Sequence, residues 1–265
     1  MRMHSRKTLG ALLACAALLR PAMLPAEPVA VKNAEGLVHG FLVLRSTDGK
    51  ILASGDLIQV ARGDRVTTRL VFHFKDGSLH DETAVFSQRG RFRLLSDRLV
   101  QKGPAFERPM EMTIDTASGQ VNVRYTEKDG KEKTEAEHLD LPADLANGLV
   151  TTLLKNIRPS AAPTVVSLVA ATPKPRLVKL SITAGGADSF TIAGESRKAT
   201  HFVVKVDIGG LTGVFASLLG KQPPDSHVWI LQGEAPAFVK SEAPLFLGGP
   251  PWRIELTSPV WPRSR

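Results

Sequence analysis

RVTTRLVFHFKDGSLHDETAVFSQ (65–88) decides the fold class. Val66, Thr68, Leu70, Phe72 and Phe74 alternate with Arg65, Thr67, Arg69, His73 and Lys75. A period of two is that of a half-buried β-strand. Asp76-Gly77 follows as a tight-turn signal, and 78–88 returns beside the first run. If Asp76 and Gly77 are the two loop residues, Phe74 faces Leu79, His73 faces His80 and Phe72 faces Asp81. Leu70, Phe72, Phe74 and Leu79 then share an apolar face with Val66 and Val85, the candidate surface for an apolar ligand. Arg69, His73, Lys75, His80 and Glu82 share the opposite face.

That register brings two imidazoles within ~5 Å at Cβ, with Glu82 diagonal to His73. His73, His80 and Glu82 form a zinc-type donor set with an open fourth position. Arg69 and Lys75 on the same face repel a cation, so no bound metal is expected. The same register puts Asp81 on the apolar face, first of all as an edge residue, otherwise as one that bonds a backbone donor or lines a cavity.

Working outward, 36–45 and 51–61 read as strands joined at Asp48-Gly49. The runs 91–101, 109–115, 120–127 and 132–139 continue them, with turns at Ser118-Gly119 and Asp129-Gly130. Short turns between strands make an antiparallel meander. Leu141, Leu145, Leu149 and Leu153 then recur every four residues. With Asp140 as N-cap and Pro142 in the first turn, this predicts one amphipathic helix over 142–156, its leucines packed on the sheet. After a linker at 158–163, strands resume at 164–171, 177–183, 189–193, 201–208, 227–232, 237–240 and 252–257. The segment 211–219 fits helix or strand. Trp229, Trp252 and Trp261 read as core or rim residues, with a sugar platform as the alternative. The expected fold is mainly β: a large curved antiparallel sheet, a half-barrel-like meander, with one central helix.

The N-terminus has a basic start, an apolar run at 8–19 and Ala26 before a cut site, the layout of a secretory leader. Residues 1–26 are expected to be removed, leaving 27–265 as a single mainly-β domain. Its two sheet halves, about 35–158 and 164–258, flank the helix. Leu12-Leu13-Ala14-Cys15 resembles a lipobox and leaves open a cut before a lipidated Cys15. An exported chain, periplasmic or extracellular, is expected, with no apolar run of the ~20 residues that a membrane-spanning helix needs. Four of the 34 basic side chains (Arg2, Arg6, Lys7, Arg20) lie in the leader, so its removal halves the net charge of +8. The remainder is no nucleic-acid footprint. Without Cys15 there is no thiol for catalysis or a disulfide.

No Gly-x-Ser-x-Gly, no Gly-x-Gly-x-x-Gly between a strand and a helix, and no His-Glu-x-x-His occurs. No catalytic residue and no cofactor is implied, and an enzyme is the third reading. The first is a non-enzymatic envelope protein holding a lipid or other apolar molecule in the sheet concavity. The second is a structural or protein-interaction module of the envelope without a small-molecule ligand. Four stretches, FKDGSLHDE (74–82), DLPADLANGL (140–149), VWILQGEAPAFVK (228–240) and GGPPWRIEL (248–256), resemble exported bacterial β-proteins of unknown function. The resemblance implies a curved half-barrel sheet similar to that of bacterial lipoprotein carriers. That class carries no assigned activity, so no functional residue transfers.

Overall fold

The hairpin at 65–88 forms one residue out of the expected register. The structure, a computed structural model, describes residues 27–192, 195–207 and 223–257. Strands β3 (Arg65–Phe74) and β4 (Leu79–Ser87) pair with His73 opposite Leu79, Phe72 opposite His80 and Leu70 opposite Glu82. The loop has three residues, not two. Gly77 N–H donates to Phe74 O at 3.1 Å, and Phe74 N–H donates to Ser78 O at 3.0 Å. Gly77 takes φ +85°, the left-handed position that closes a three-residue loop with a glycine bulge. Asp76 caps the turn by accepting from Ser78 N–H at 2.9 Å.

One extra loop residue turns every β4 side chain over. His80, Glu82, Ala84 and Phe86 therefore point inward beside Leu70 and Phe72. Leu79, expected on the apolar face, lies on the outer one. Asp81 also faces outward, where Arg69 grips it with bonds of 2.9 and 2.7 Å.

The strands before and after are β1 (Val38–Arg45), β2 (Ile51–Arg62), β5 (Arg93–Lys102), β6 (Met110–Asp115), β7 (Gln120–Thr126) and β8 (Glu132–His138). Beyond the central segment come β9 (Thr164–Ala170), β10 (Arg176–Ile192), β11 (Glu195–Asp207), β12 (Ser226–Leu231), β13 (Ala237–Pro244) and β14 (Pro251–Leu256). All pair antiparallel in one open 14-stranded sheet, ordered β8 to β1 and then β14 to β9. Two meanders thus meet where the last strand pairs with the first, Leu42 opposite Leu256 and Leu44 opposite Ile254. The edge strand β8, EKTEAEH, is almost wholly exposed and highly charged, which discourages pairing with a further strand. The expected runs 177–183 and 189–193, the latter as far as residue 192, fall in one strand, β10. The glycines between them do not turn the chain; they form a bulge in the ladder between Ala184 and Gly186.

The central helix is far shorter than predicted: α1 covers Val150–Leu154 alone. Residues 144–147 instead turn along β9, with Leu145 bridged in parallel to Ser167. Ala146 N–H donates to Ser167 O at 2.8 Å and Ser167 N–H to Asp144 O at 3.2 Å. The Asn147 side chain donates to Val169 O and accepts from Val169 N–H, each at 2.9 Å. Gly148, at φ +65°, ends this run and turns the chain into α1. The leucine spacing still marks burial: Leu145, Leu149 and Leu153 join one core cluster with Phe86, Met112 and Val123 from the first meander and Val166, Ile182 and Phe202 from the second. Segment 139–163 therefore lies between the two halves of the sheet. A second cluster, at the Phe72 end, gathers Phe74, Phe106, Trp252 and Leu44.

The leader at 1–26 with Cys15, the segment 211–219 and Trp261 lie outside the described residues.

Candidate functional site

The inner face of β2–β5 carries its polar groups in two rows. Gln59, Thr68, Ala84 and Asp97 stand side by side across the four strands, and Leu57, Leu70, Glu82 and Leu99 form the next row. Over them pass Ala146, Gly148, Val150 and Thr151 of the central segment; Ile254 and Leu256 of β14 and Phe238 of β13 complete the wall. The space between them is a half-open cavity of about 430 Å³, within the usual range for small-molecule sites. Its lining is mainly aliphatic, with Glu82, Gln59, Thr68, Lys155 and a few hydroxyl side chains as the polar exceptions.

Gly148 makes this wall. A Cβ there would stand 2.6 Å from the Ala84 Cβ, 3.1 Å from Asp97 Oδ1 and 3.7 Å from Glu82 Oε1. Two carboxyls therefore converge beneath one glycine. Burial pushes Glu82 up to about 7. Burial, and then the charge of Glu82, hold Asp97 well above the usual carboxylate range. Both oxygens of Asp97 lack a hydrogen-bond partner among the described residues.

At another point of the wall, Lys155 Nζ meets Glu35 Oε1 at 2.5 Å. Gln59 Nε2 donates to Glu35 Oε2 at 2.7 Å, and Glu35 N–H donates to Gln88 Oε1 at 2.7 Å. The Lys155 ammonium is thus committed to a carboxylate inside the protein. Beyond Glu82 on β4, His80 is buried, and burial drives it down to about 4, so its imidazole is neutral. Its Nδ1 lies 3.2 Å from Gln101 Nε2, which also donates to Leu245 O at 2.8 Å. With Nδ1 accepting, the proton sits on Nε2, an atom without a partner among the described residues.

The residues proposed from sequence are distributed as follows. Leu70 lines the cavity; Phe72 and Phe74 are buried in the second core cluster, and Leu79 is on the outer face. His73 is exposed on the outer face, whereas His80 and Glu82 are inside, so the three do not meet. Among the described residues no three His, Cys, Asp or Glu side chains are grouped to hold a metal. Trp252 packs on Phe74 and Phe246, and Trp229 stacks on His201 at 4.5 Å under Lys240. Asp97 was missed, although its signal is present in the sequence: it shares the period-two phase of Leu99 and Gln101, a charged residue where an apolar one is expected. The Glu35–Lys155 contact joins residues far apart in the chain and leaves no local pattern.

No protein-family model matches the chain, and no curated protein matches it. Among solved structures the chain is similar to a beta-barrel-like protein of the domain of unknown function DUF1849 from Brucella abortus. That match has 11% identity and a TM-score of 0.48 over 84% of this chain and 98% of the other. The chain is also similar to the hypothetical lipoprotein YmcC from Escherichia coli, at 9% identity and a TM-score of 0.34 over 84% of this chain and 85% of the other. No described helix is long and apolar enough to cross a membrane.

Proposed function

We propose that this is an exported, non-enzymatic envelope protein that holds an apolar molecule, such as an acyl chain, in the cavity under Gly148. The observation that carries this reading is the 430 Å³ space with its mainly aliphatic lining. Each methylene moved from water into it gains about 0.8 kcal/mol. Two lining residues, Val38 and Leu256, are also exposed, at 38% and 48%. They set apolar side chains at the surface end of the lining. Leu37, 82% exposed beside Val38, favours a second reading, in which a protein of the envelope docks over these side chains.

The uncharged fluorophore N-phenyl-1-naphthylamine tests the first reading. It is expected to bind, and Leu57→Trp, which fills the cavity from its lining, is expected to weaken binding by about tenfold or more, the worth of two lost methylenes. Absence of binding to the native protein, or unchanged binding in a folded Leu57→Trp variant, sinks the cavity reading and leaves the interaction module.

Export, and residues 27–265 acting as one domain, belong to the same proposal. The secreted protein is expected to have the intact mass of a chain beginning at Glu27. A mass beginning at a diacylated Cys15 overturns the cut after Ala26 and makes the protein lipid-anchored.

A further inference from the structure

The cavity and its wall hold two carboxyls that no cation of the protein pairs among the described residues. Glu82 lines it from β4 and makes no ion pair or hydrogen bond among the described residues. Asp97, from β5, is 2% exposed, and both of its oxygens are unpartnered. Oxygens of the two lie 3.1 and 3.7 Å from the place a Gly148 Cβ would take, and Gly148 itself lines the cavity. An unpaired carboxylate so deeply buried is expensive unless a cation or a hydrogen-bond donor reaches it.

The groups packed around the pair supply no such partner. His80, on the same strand, is neutral. The inward side chains of β2 and β3 nearest the pair are Gln59, Thr68 and Leu70. Lys155 is the one cation on the lining among the described residues, and it is held by Glu35 at 2.5 Å. The lining therefore carries one carboxyl, Glu82, with no cation free to pair it among the described residues, and Asp97 stands buried behind it. A fatty-acid carboxylate or a lipid phosphate would set a second negative charge beside Glu82 wherever Glu82 is ionised, in a space that offers no free cation among the described residues. A positively charged nitrogen would supply the missing counter-charge, with its N–H groups donating to oxygens that lack donors.

We propose that the molecule held in this cavity is a cationic amphiphile, its ammonium nitrogen against Glu82, in front of Asp97, and its chain along Leu57, Leu70 and Leu256. This rests on the cavity reading above and names the ligand class for it. Sequence reading pointed only to an apolar ligand, because Glu82 was assigned to the outer face and Asp97 to no face.

Displacement of N-phenyl-1-naphthylamine from the native protein by dodecylamine, dodecanol and dodecanoate tests the proposal, since the three share one chain and differ only in the head. At pH 8 dodecylamine is expected to compete at least about tenfold better than dodecanol, the range of a charge-assisted hydrogen bond, and dodecanoate worst of all. At pH 5.5 the amine's advantage over the alcohol should shrink as Glu82 takes up a proton. In Glu82→Gln and Asp97→Asn the amine-to-alcohol ratio at pH 8 should fall toward one. The pH comparison on the native protein stands even where a variant fails to fold. Dodecanoate competing as well as dodecylamine at pH 8, or an amine advantage that ignores pH, overturns the cationic assignment while leaving apolar binding intact. Failure of both the fluorophore and dodecanol to bind removes the cavity reading, and this inference with it.

Discussion

Gly148→Ala is expected to destabilise the protein by about 3 kcal/mol, the sum of a left-handed backbone penalty and overpacking against a sheet. The residue sits at φ +65°, where a side chain is strained whatever the space around it. Here there is also no space. The new methyl would lie 2.6 Å from the Ala84 Cβ, and Ala84 belongs to a central strand whose backbone cannot retreat without breaking two ladders. Gly130 is the natural control. Its φ is +84°, but nothing stands within 4 Å of its missing Cβ, so Gly130→Ala should show the backbone penalty alone, about 1 kcal/mol. Urea unfolding of the two variants separates strain from close approach. Equal losses would mean that the contact over Ala84 does not form in solution, and the cavity wall would then be misplaced.

The second large effect is a pH dependence of stability built into the carboxyl pair. Glu82 titrates near 7 in the folded chain against an ordinary value of 4.5. A carboxyl raised in this way contributes no penalty below about pH 4.5, where it is protonated in both the folded and unfolded states. As pH rises the unfolded chain ionises first, so stability falls until the folded group also ionises near pH 7. Above that the deficit is constant, on the order of 3 kcal/mol for a shift of this size. Asp97, raised as well, adds to the loss above the ordinary aspartate range. His80 works against this trend. Its imidazole is held neutral down to about pH 4, so it costs stability as pH falls from about 6.5. The two slopes oppose each other between pH 4.5 and 6.5, and the native protein alone would show a muted profile there. The difference between Glu82→Gln and the native chain reads the Glu82 carboxyl together with its push on Asp97. It should favour the variant by on the order of 3 kcal/mol at pH 8 and vanish near pH 4.5. A difference independent of pH would mean that Glu82 is solvated and does not border a dry cavity.

Both predictions concern residues whose environment the sequence could not show. Glu82 is visible in 65–88 as one of several polar residues in a strand, but its face depends on whether the turn holds two residues or three. Asp-Gly is compatible with both turns. The choice falls to Gly77 at φ +85° with Lys75 inside the loop, and that single residue moves Glu82 and His80 from solvent to the interior and sends Leu79 and Asp81 out. Apolarity along β4 gave no warning, because Leu79, Val85 and Phe86 are spread over both phases. The expected helix is the second such case. The four-residue leucine spacing reports burial correctly, but a run of turns bridged to β9 at Leu145 and followed by one short helix buries leucines as well as a long helix does. What decided between them was the open edge of β9, whose Ser167 and Val169 offered hydrogen bonds to 144–147 that a helix would have made internally.

The sequence by itself determined the chemistry of the parts. Alternation in β3 and its neighbours makes strands, Asp-Gly and Ser-Gly pairs make short turns, and short turns make antiparallel pairs; these are local and follow from side-chain size, charge and backbone freedom. The tertiary structure alone decided which strands meet and which face is inside. The pairing of β1 with β14 joins residues some 210 positions apart, as the Arg45–Glu255 contact at 3.0 Å shows, and no local preference encodes it. Likewise Glu82, Asp97 and Gly148 share one point in space only because the central segment returns across β4 and β5. Register and long-range packing are properties of the whole sheet: a one-residue slip leaves every local preference satisfied but exchanges the inside for the outside.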